Sequence, residues 1–182
     1  FAADTADPTH GALLQKVQER TSEIRNTLVF FELEWVAVDD ERGRHLLSEP
    51  ALARRRPLLE SMRRYRPHLL SEPEERLLEE TANTGERAFS RLFEEILGAA
   101  RFQVELDGKR TELGEEEVHS LLYEADREKR RSGARALSAG LREHSRTLAF
   151  IFNTLVQDKA VRDRLRRYQN PIDSRNLANE ID

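Results

Sequence analysis

The stretch RRYRPHLLSEPEERLL, at residues 63–78, decides how the charged segments of this chain are interpreted. It opens with arginines, a tyrosine and a histidine, passes a proline, and continues into a group of glutamates. Cations are favoured at the C-terminal end of a helix and anions at its N-terminal end. Pro67 would end a helix, and Ser71 with Glu74 has the spacing of a capping box. The stretch therefore predicts a junction between two helices rather than a nucleic-acid site, because its acidic half would repel phosphates.

Apolar residues at alternating spacings of three and four predict a first long helix over residues 11–38. We expect the last two residues of this apolar stripe, Phe31 and Trp35, to be buried. A second long helix is predicted from a cap at Asp126 to about residue 157, followed by a charged helix over residues 159–168. Within the second helix, Gly133 and Gly140 would let a neighbouring helix come close. The first stripe comprises Leu14, Val17, Thr21, Ile24, Leu28, Phe31 and Trp35.

Residues 101–112 change to the period of a β-strand. Phe102, Val104 and Leu106 alternate with polar residues, and Asp107-Gly108 predicts a two-residue type I′ turn. The predicted fold class is therefore all-α, with multiple long amphipathic helices and one small β-hairpin near residues 101–112. We expect a helical layer over residues 1–98 and a second helical layer over residues 115–182.

The composition excludes several classes of protein. The 182 residues carry 30 Lys plus Arg against 34 Asp plus Glu, a near balance that attracts neither nucleic acid nor an anionic membrane. There is no cysteine, which excludes disulfides and thiolate chemistry. No apolar run approaches the ~20 residues that span a bilayer, and no signal peptide opens the sequence. The expected setting is the cytoplasm, with no membrane and no nucleic acid as partner.

No recognisable catalytic or metal-binding motif occurs in the sequence. None of the five histidines has a second histidine at the spacing of a helical zinc pair. His144 lies on an apolar stripe and is interpreted as a core or cleft histidine rather than a ligand. The sequence has neither a Gly-rich phosphate loop nor a G-x-S-x-G elbow. It therefore predicts no catalytic residue and no metal ligand in this chain.

Five segments, taken in order, carry a resemblance to a known family. They are ADTADPTHGALLQKVQERTSEIRNTLVFFELEW, YRPHLLSEPEERLLEE, FSRLFEEIL, LAFIFNTLVQDKAVRDRLRRY and SRNLANEID. Each segment alone is an unspecific amphipathic helix, whereas their joint order over essentially the whole chain is much more specific. Together they resemble the upstream helical part of bacterial oligoendopeptidase F-type zinc peptidases, in the thimet oligopeptidase superfamily.

The resemblance implies a nearly all-helical fold with a deep groove between two halves, and hydrolysis of short peptides. The family's zinc is held by a His-Glu-x-x-His helix and a further carboxylate, and the motif glutamate is the general base on a metal-bound water. This sequence contains no His-Glu-x-x-His. The resemblance therefore implies a non-catalytic segment that forms one wall of the groove. Zinc would be bound only by the full-length metalloprotease. The partners would be the catalytic half of the same polypeptide and an oligopeptide substrate.

The last nine residues supply the candidate groove residues. Within SRNLANEID, Arg175, Asn176 and Asn179 are able to pair with peptide carbonyls or a terminal carboxylate. The competing interpretation is that they cap and tether the next helix. Because the sequence opens on Phe1 and SRNLANEID carries no helix-ending signal, we expect a segment of a longer protein.

Two other functions stay open at this point. The first is a free-standing helical interaction module with apolar stripes for a partner helix. The second is a nucleic-acid-binding domain that uses the basic clusters at residues 54–66 and 127–135, which the acidic neighbours make the weakest of the three.

Overall fold

The structure is a computed structural model that describes residues 8–181. The predicted fold class is confirmed: helices make up most of the described chain, and a two-stranded antiparallel sheet forms the hairpin. Two short 3-10 helices, Pro50–Arg55 and Arg66–His68, join neighbouring helices. The helices are α1 Pro8–Ala37, α2 Asp40–Ser48, α3 Arg56–Arg64, α4 Glu72–Ala82, α5 Glu86–Ala99, α6 Glu115–Leu121, α7 Arg127–Glu143, α8 Ser145–Leu165 and α9 Asp173–Ala178, and the strands are β1 Phe102–Leu106 and β2 Lys109–Leu113.

The chain divides into two compact units. Unit 1 comprises Phe1–Val17 with Thr84–Val156, and unit 2 comprises Gln18–Asn83 with Gln157–Asp182. Unit 1 contains the hairpin, and unit 2 contains the junction at residues 63–78.

The hairpin in unit 1 has the turn that the sequence predicts. Its register pairs Phe102 with Leu113 and Leu106 with Lys109, which leaves two residues in the turn. Asp107 has φ 51° and Gly108 has φ 72°. Positive φ at both central residues is the requirement of a type I′ turn, so this prediction is confirmed.

The hairpin packs on α6 and α7 through a dense apolar group, which we call the hairpin cluster. Its largest members, Phe102 and Val104, are 1% and 0% exposed. A Cβ atom on Gly140 would lie 2.5 Å from Cδ1 of Phe102, and one on Gly133 would lie 2.9 Å from Cβ of Leu121. Both glycines therefore allow close approach, Gly133 to helix α6 as predicted and Gly140 to strand β1. The buried members of the cluster are Ala100, Phe102, Val104, Val118, Leu121 and Ala136.

Unit 2 has its own apolar group, the Trp35 cluster, formed by Trp35, Val36, Leu47 and Leu59. Trp35 is 8% exposed, and its indole Nε1 donates to the carbonyl oxygen of Leu59 at 2.8 Å. The predicted burial of Trp35 is confirmed. The predicted burial of Phe31 is wrong, because this side chain is 50% exposed. Helical spacing identifies an apolar face but not which part of that face a neighbouring element covers.

The junction at residues 63–78 is the boundary between helices that the sequence predicts. Helix α3 ends at Arg64, and α4 begins at Glu72. The capping box forms, with the Ser71 backbone N–H donating to Oε2 of Glu74 at 2.9 Å. The charge order at this junction is therefore explained by the preferences of helix ends.

Two arginines of the junction also cap a different helix. Helix α1 has no basic residue in its own last turn. Nη1 of Arg63 donates to the carbonyl oxygen of Trp35 at 3.1 Å. Arg66 donates through Nε to the carbonyl oxygen of Val36 at 2.8 Å and through Nη2 to that of Val38 at 2.7 Å. These bonds satisfy carbonyl groups that a helix end leaves without partners.

The second long helix predicted from the sequence is two helices. Asp126 caps α7 as predicted, its Oδ1 accepting from the backbone N–H of Glu128 at 2.8 Å. Helix α7 then ends at Glu143, and α8 runs from Ser145 to Leu165 through the charged segment that the sequence predicts as a separate helix. His144 is half-buried at the break, and its backbone carbonyl oxygen accepts the N–H of Leu148 at 2.9 Å. The apolar spacing continues across the break without a proline or glycine, so periodicity alone does not reveal it.

Candidate functional site

The three candidate groove residues lie on the last described helix, α9, and directly after it. Arg175 and Asn179 are exposed and stand four positions apart, which puts them on one face. Asn176 is half-buried. Within residues 8–181, none of the three side chains makes a hydrogen bond that would occupy its polar group. Asn179 ends the helix through its backbone N–H, which donates to the carbonyl oxygen of Arg175 at 3.0 Å.

Helix α9 is held to the end of α8 by polar contacts. Nζ of Lys159 donates to the carbonyl oxygen of Pro171 at 2.8 Å and to Oγ of Ser174 at 3.0 Å. Oδ2 of Asp173 accepts the backbone N–H of Asn170 at 2.8 Å, at the start of the helix. These contacts fix the orientation of a helix that is too short to be stable alone.

A second polar group in unit 2 joins α4 to Arg166, the residue directly after α8. Arg166 and Glu75 form a bidentate ion pair, in which the Nη1–Oε1 and Nη2–Oε2 distances are both 2.7 Å. Oε1 of Glu75 also accepts the backbone N–H of Leu70 at 3.1 Å. Burial raises the pKa of Glu75, but the hydrogen bonds from Arg166 and Leu70 outweigh it and hold the pKa below its ordinary value.

An aromatic contact supports the same ion pair. The His68 ring stacks on Tyr168 with centroids 3.9 Å apart, and His68 Nδ1 lies 2.8 Å from the carbonyl oxygen of Arg166. Nη1 of Arg166 in turn donates to the carbonyl oxygen of His68 at 3.3 Å. The Arg166 guanidinium is thus oriented from two sides and has little freedom to turn away from Glu75.

The ion pair borders a cleft of about 310 Å³ between α1, α4 and α8. Glu32 of α1 faces this cleft beside the apolar side chains of Leu28 and Leu78. Burial raises the pKa of Glu32, the nearby charge of Glu75 raises it further, and Arg166 opposes the shift. The cleft therefore contains one carboxylate whose charged form is poorly compensated.

Sequence reasoning did not find Glu32, Glu75 or Arg166. The two members of the ion pair stand 91 positions apart, so no local spacing connects them. Each also has an unremarkable place in the sequence: Glu75 near the start of a helix, Arg166 in a charged run, and Glu32 between apolar residues.

The described residues do not fit a zinc site. In residues 8–181, no three His, Cys, Asp or Glu side chains are grouped so that they could hold a metal ion. His119 is 3.9 Å from Glu115 on the same helix, and His68 is engaged with Tyr168. No helix in the described part of the chain is long and apolar enough to cross a membrane.

A family model described as Oligopeptidase F matches residues 34–102. The predicted resemblance to oligoendopeptidase F is confirmed. The matched range covers the Trp35 cluster, the helix junction, α5 and the first residue of the hairpin.

Two solved structures share the fold. Oligoendopeptidase F from Enterococcus faecium aligns with 100% of this chain at a TM-score of 0.85 and 22% identity. A candidate peptidase from Chlamydophila abortus aligns with 100% of the chain at a TM-score of 0.68 and 19% identity. The chain spans 36% and 31% of these two proteins, about a third of their length. None of the curated proteins matches the chain.

Proposed function

We propose that this chain is the non-catalytic, upstream helical portion of an oligoendopeptidase F-type zinc peptidase that hydrolyses short peptides. The observation that carries the proposal is the Oligopeptidase F match over residues 34–102. The fold shared with the Enterococcus faecium enzyme along the whole chain supports it. Zinc and the general base would come from the remainder of the polypeptide, since the described residues offer no fitting ligand group.

In this proposal the chain builds one wall of the peptide groove. Arg175, Asn176 and Asn179 are the residues assigned to peptide contact. Arg175 would bind a carboxylate terminus or a carbonyl group, and the two asparagine amides would both donate to and accept from a peptide backbone. Their support is geometric: Arg175 is exposed on the tethered helix α9, Asn179 is exposed directly after it, and their polar groups are unoccupied within residues 8–181.

The test uses the polypeptide encoded by the whole reading frame that contains these residues. It is expected to cleave a quenched fluorescent oligopeptide, to lose activity to a chelator and to regain it with zinc. Arg175→Ala is expected to raise KM about tenfold, the effect of losing one charge-assisted hydrogen bond to the substrate. Arg54→Ala removes an exposed arginine elsewhere in unit 2 and serves as the matched control.

A whole-length protein that holds no metal and cleaves no peptide would overturn the peptidase assignment. Equal KM values for wild type and Arg175→Ala in an active enzyme would overturn the groove assignment alone.

A helical interaction module is the second candidate, and one observation favours it. Helix α1 exposes large apolar side chains, among them Leu28 at 57% and Phe31 at 50%. Exposed apolar surface of this kind marks a contact surface for another protein segment. A reading frame that encodes no His-Glu-x-x-His would favour this candidate over the peptidase.

A further inference from the structure

The charged side chains around the cleft in unit 2 are not equally compensated. Glu75 is paired with Arg166 through both oxygens. Glu79 accepts from Oγ of Ser22 at 2.8 Å and lies 3.6 Å from Arg25. The negative charges of α4 in this cleft are thus already bound to partners.

Each arginine that lines the cleft likewise lies beside a carboxylate. Arg166 is committed to Glu75, and Arg25 lies beside Glu79. Nε of Arg162 is 2.8 Å from Oδ2 of Asp158, one turn earlier on α8. An anionic ligand would therefore have to compete with a carboxylate for every cation in this cleft.

Glu32 differs from all of these groups. The structure gives its carboxylate no hydrogen bond and no ion pair with any residue in the range 8–181. It is half-buried, so a ligand can reach it, yet water solvates it less well than a surface carboxylate. The apolar side chains of Leu28, Val29 and Leu78 line the same cleft. A carboxylate beside apolar walls is complementary to a cation carried on an aliphatic stem.

We propose that this cleft binds a lysine or arginine side chain of a peptide, with the cationic group against Glu32 and the aliphatic stem against Leu28, Val29 and Leu78. This inference rests on the proposed function, because it takes the ligand to be the peptide substrate. The volume of about 310 Å³ is at the lower end of ligand pockets and accommodates one long side chain rather than a folded segment. The raised pKa of Glu32 agrees with a cationic ligand, because a cation beside the carboxylate would offset the unfavourable burial of its charge.

The experiment compares two quenched fluorescent peptides on the whole-length polypeptide. They are N-acetylated and identical except at one position, which is lysine in one and uncharged norleucine in the other, so the lysine carries the only ammonium group. The lysine is moved through successive peptide positions. At one position, lysine is expected to lower KM about fivefold relative to norleucine, the scale of a partly exposed ion pair.

Three variants locate the effect. Glu32→Gln keeps the shape of the side chain and removes its charge, and it is expected to bring the two KM values together. Glu32→Asp keeps the charge on a shorter stem and is expected to retain part of the preference. Glu41→Gln removes an exposed carboxylate on α2 and is expected to leave the fivefold preference unchanged.

Two results would overturn the proposal: a wild-type enzyme with no lysine preference at any position, or the same preference in Glu32→Gln. Failure of the proposed function gives a different result, because neither peptide is then cleaved. In that case, fluorescence anisotropy measures the affinity of the same polypeptide for each labelled peptide and so tests the cleft without catalysis. Tighter binding of the lysine peptide that disappears in Glu32→Gln supports the cleft, and equal affinities overturn it.

Discussion

The hairpin cluster and the Trp35 cluster are two small cores that are assembled by different means. The hairpin cluster consists of apolar side chains packed against helices, and two glycines make room for the contact. The Trp35 cluster depends on polar bonds as well: the indole of Trp35 donates to Leu59, and arginines bind the last carbonyl groups of α1. Steric fit therefore dominates the first core, and hydrogen bonds to backbone carbonyls complete the second.

The two cores should therefore be destabilised by different kinds of substitution. A tightly filled core cannot admit an added methyl group, whereas a core at the end of a helix is sensitive to loss of its capping groups.

The largest effect is expected in the Trp35 cluster. Trp35→Ala should lower the free energy of unfolding by roughly 3–5 kcal/mol, because it removes a large buried side chain and its hydrogen bond to the carbonyl oxygen of Leu59. Urea unfolding measures the change. Phe31→Ala, on the same stripe but 50% exposed, is the control and should cost less than about 1 kcal/mol. Equal losses for the two variants would show that the whole stripe is buried.

Gly140→Ala tests the hairpin cluster from the opposite direction. The new Cβ would lie 2.5 Å from Phe102, so either the ring or α7 must shift, at a cost of roughly 1–3 kcal/mol. Ser138→Ala, at an exposed position of the same helix, should be neutral or slightly stabilising. A Gly140→Ala protein as stable as the wild type would contradict the close contact between α7 and β1.

Loss of an arginine cap should have a moderate effect. Arg63→Ala removes the bond to the Trp35 carbonyl oxygen and the guanidinium that lies 5.2 Å from the indole ring centroid. About 1–2 kcal/mol is expected, measured by thermal and urea unfolding. Arg64→Ala deletes the exposed neighbouring arginine and should change stability by less than about 0.5 kcal/mol. If both variants lose the same stability, net charge rather than capping is responsible.

A substitution in the turn of the hairpin should have an effect of similar size. Gly108→Val forces a β-branched residue to φ near 72°, which should cost about 1–2 kcal/mol. Asp107→Asn should be tolerated, because asparagine also adopts positive φ. Circular dichroism and urea unfolding give the comparison, and a stable Gly108→Val protein would exclude the type I′ turn.

The smallest effect concerns pH. The folded state raises the pKa of Glu32, so the folded state binds more protons than the unfolded state between the ordinary pKa and the raised one. The contribution of Glu32 to stability is therefore full below the ordinary pKa and is lost as pH rises through the raised value. Glu32→Gln should raise Tm at neutral pH, and the difference should shrink on acidification. A variant less stable than wild type at neutral pH would mean that the carboxylate has a partner.

Local sequence patterns are sufficient to predict the hairpin, the capping box and the cap at Asp126. In each case, the residues that form the feature are close neighbours in the sequence. The exposure of Phe31 and the break at His144 could not be predicted, since apolar periodicity continues through both places. The Arg166–Glu75 pair and the capping of α1 by Arg63 depend on residues far apart in the chain, and only the tertiary structure brings them together.

Photo-crosslinking tests whether a peptide substrate lies against residues 175–179. The photoreactive residue p-benzoylphenylalanine replaces Asn179 in the whole-length polypeptide, and in a control protein it replaces the exposed Arg54. A biotinylated oligopeptide that the enzyme cleaves is then irradiated with each protein. A covalent adduct that excess unlabelled peptide suppresses is expected at position 179, and none is expected at position 54. An active enzyme that forms no adduct when the photoreactive residue stands at 175, 176 or 179 would contradict the claim that this chain forms a wall of the peptide groove.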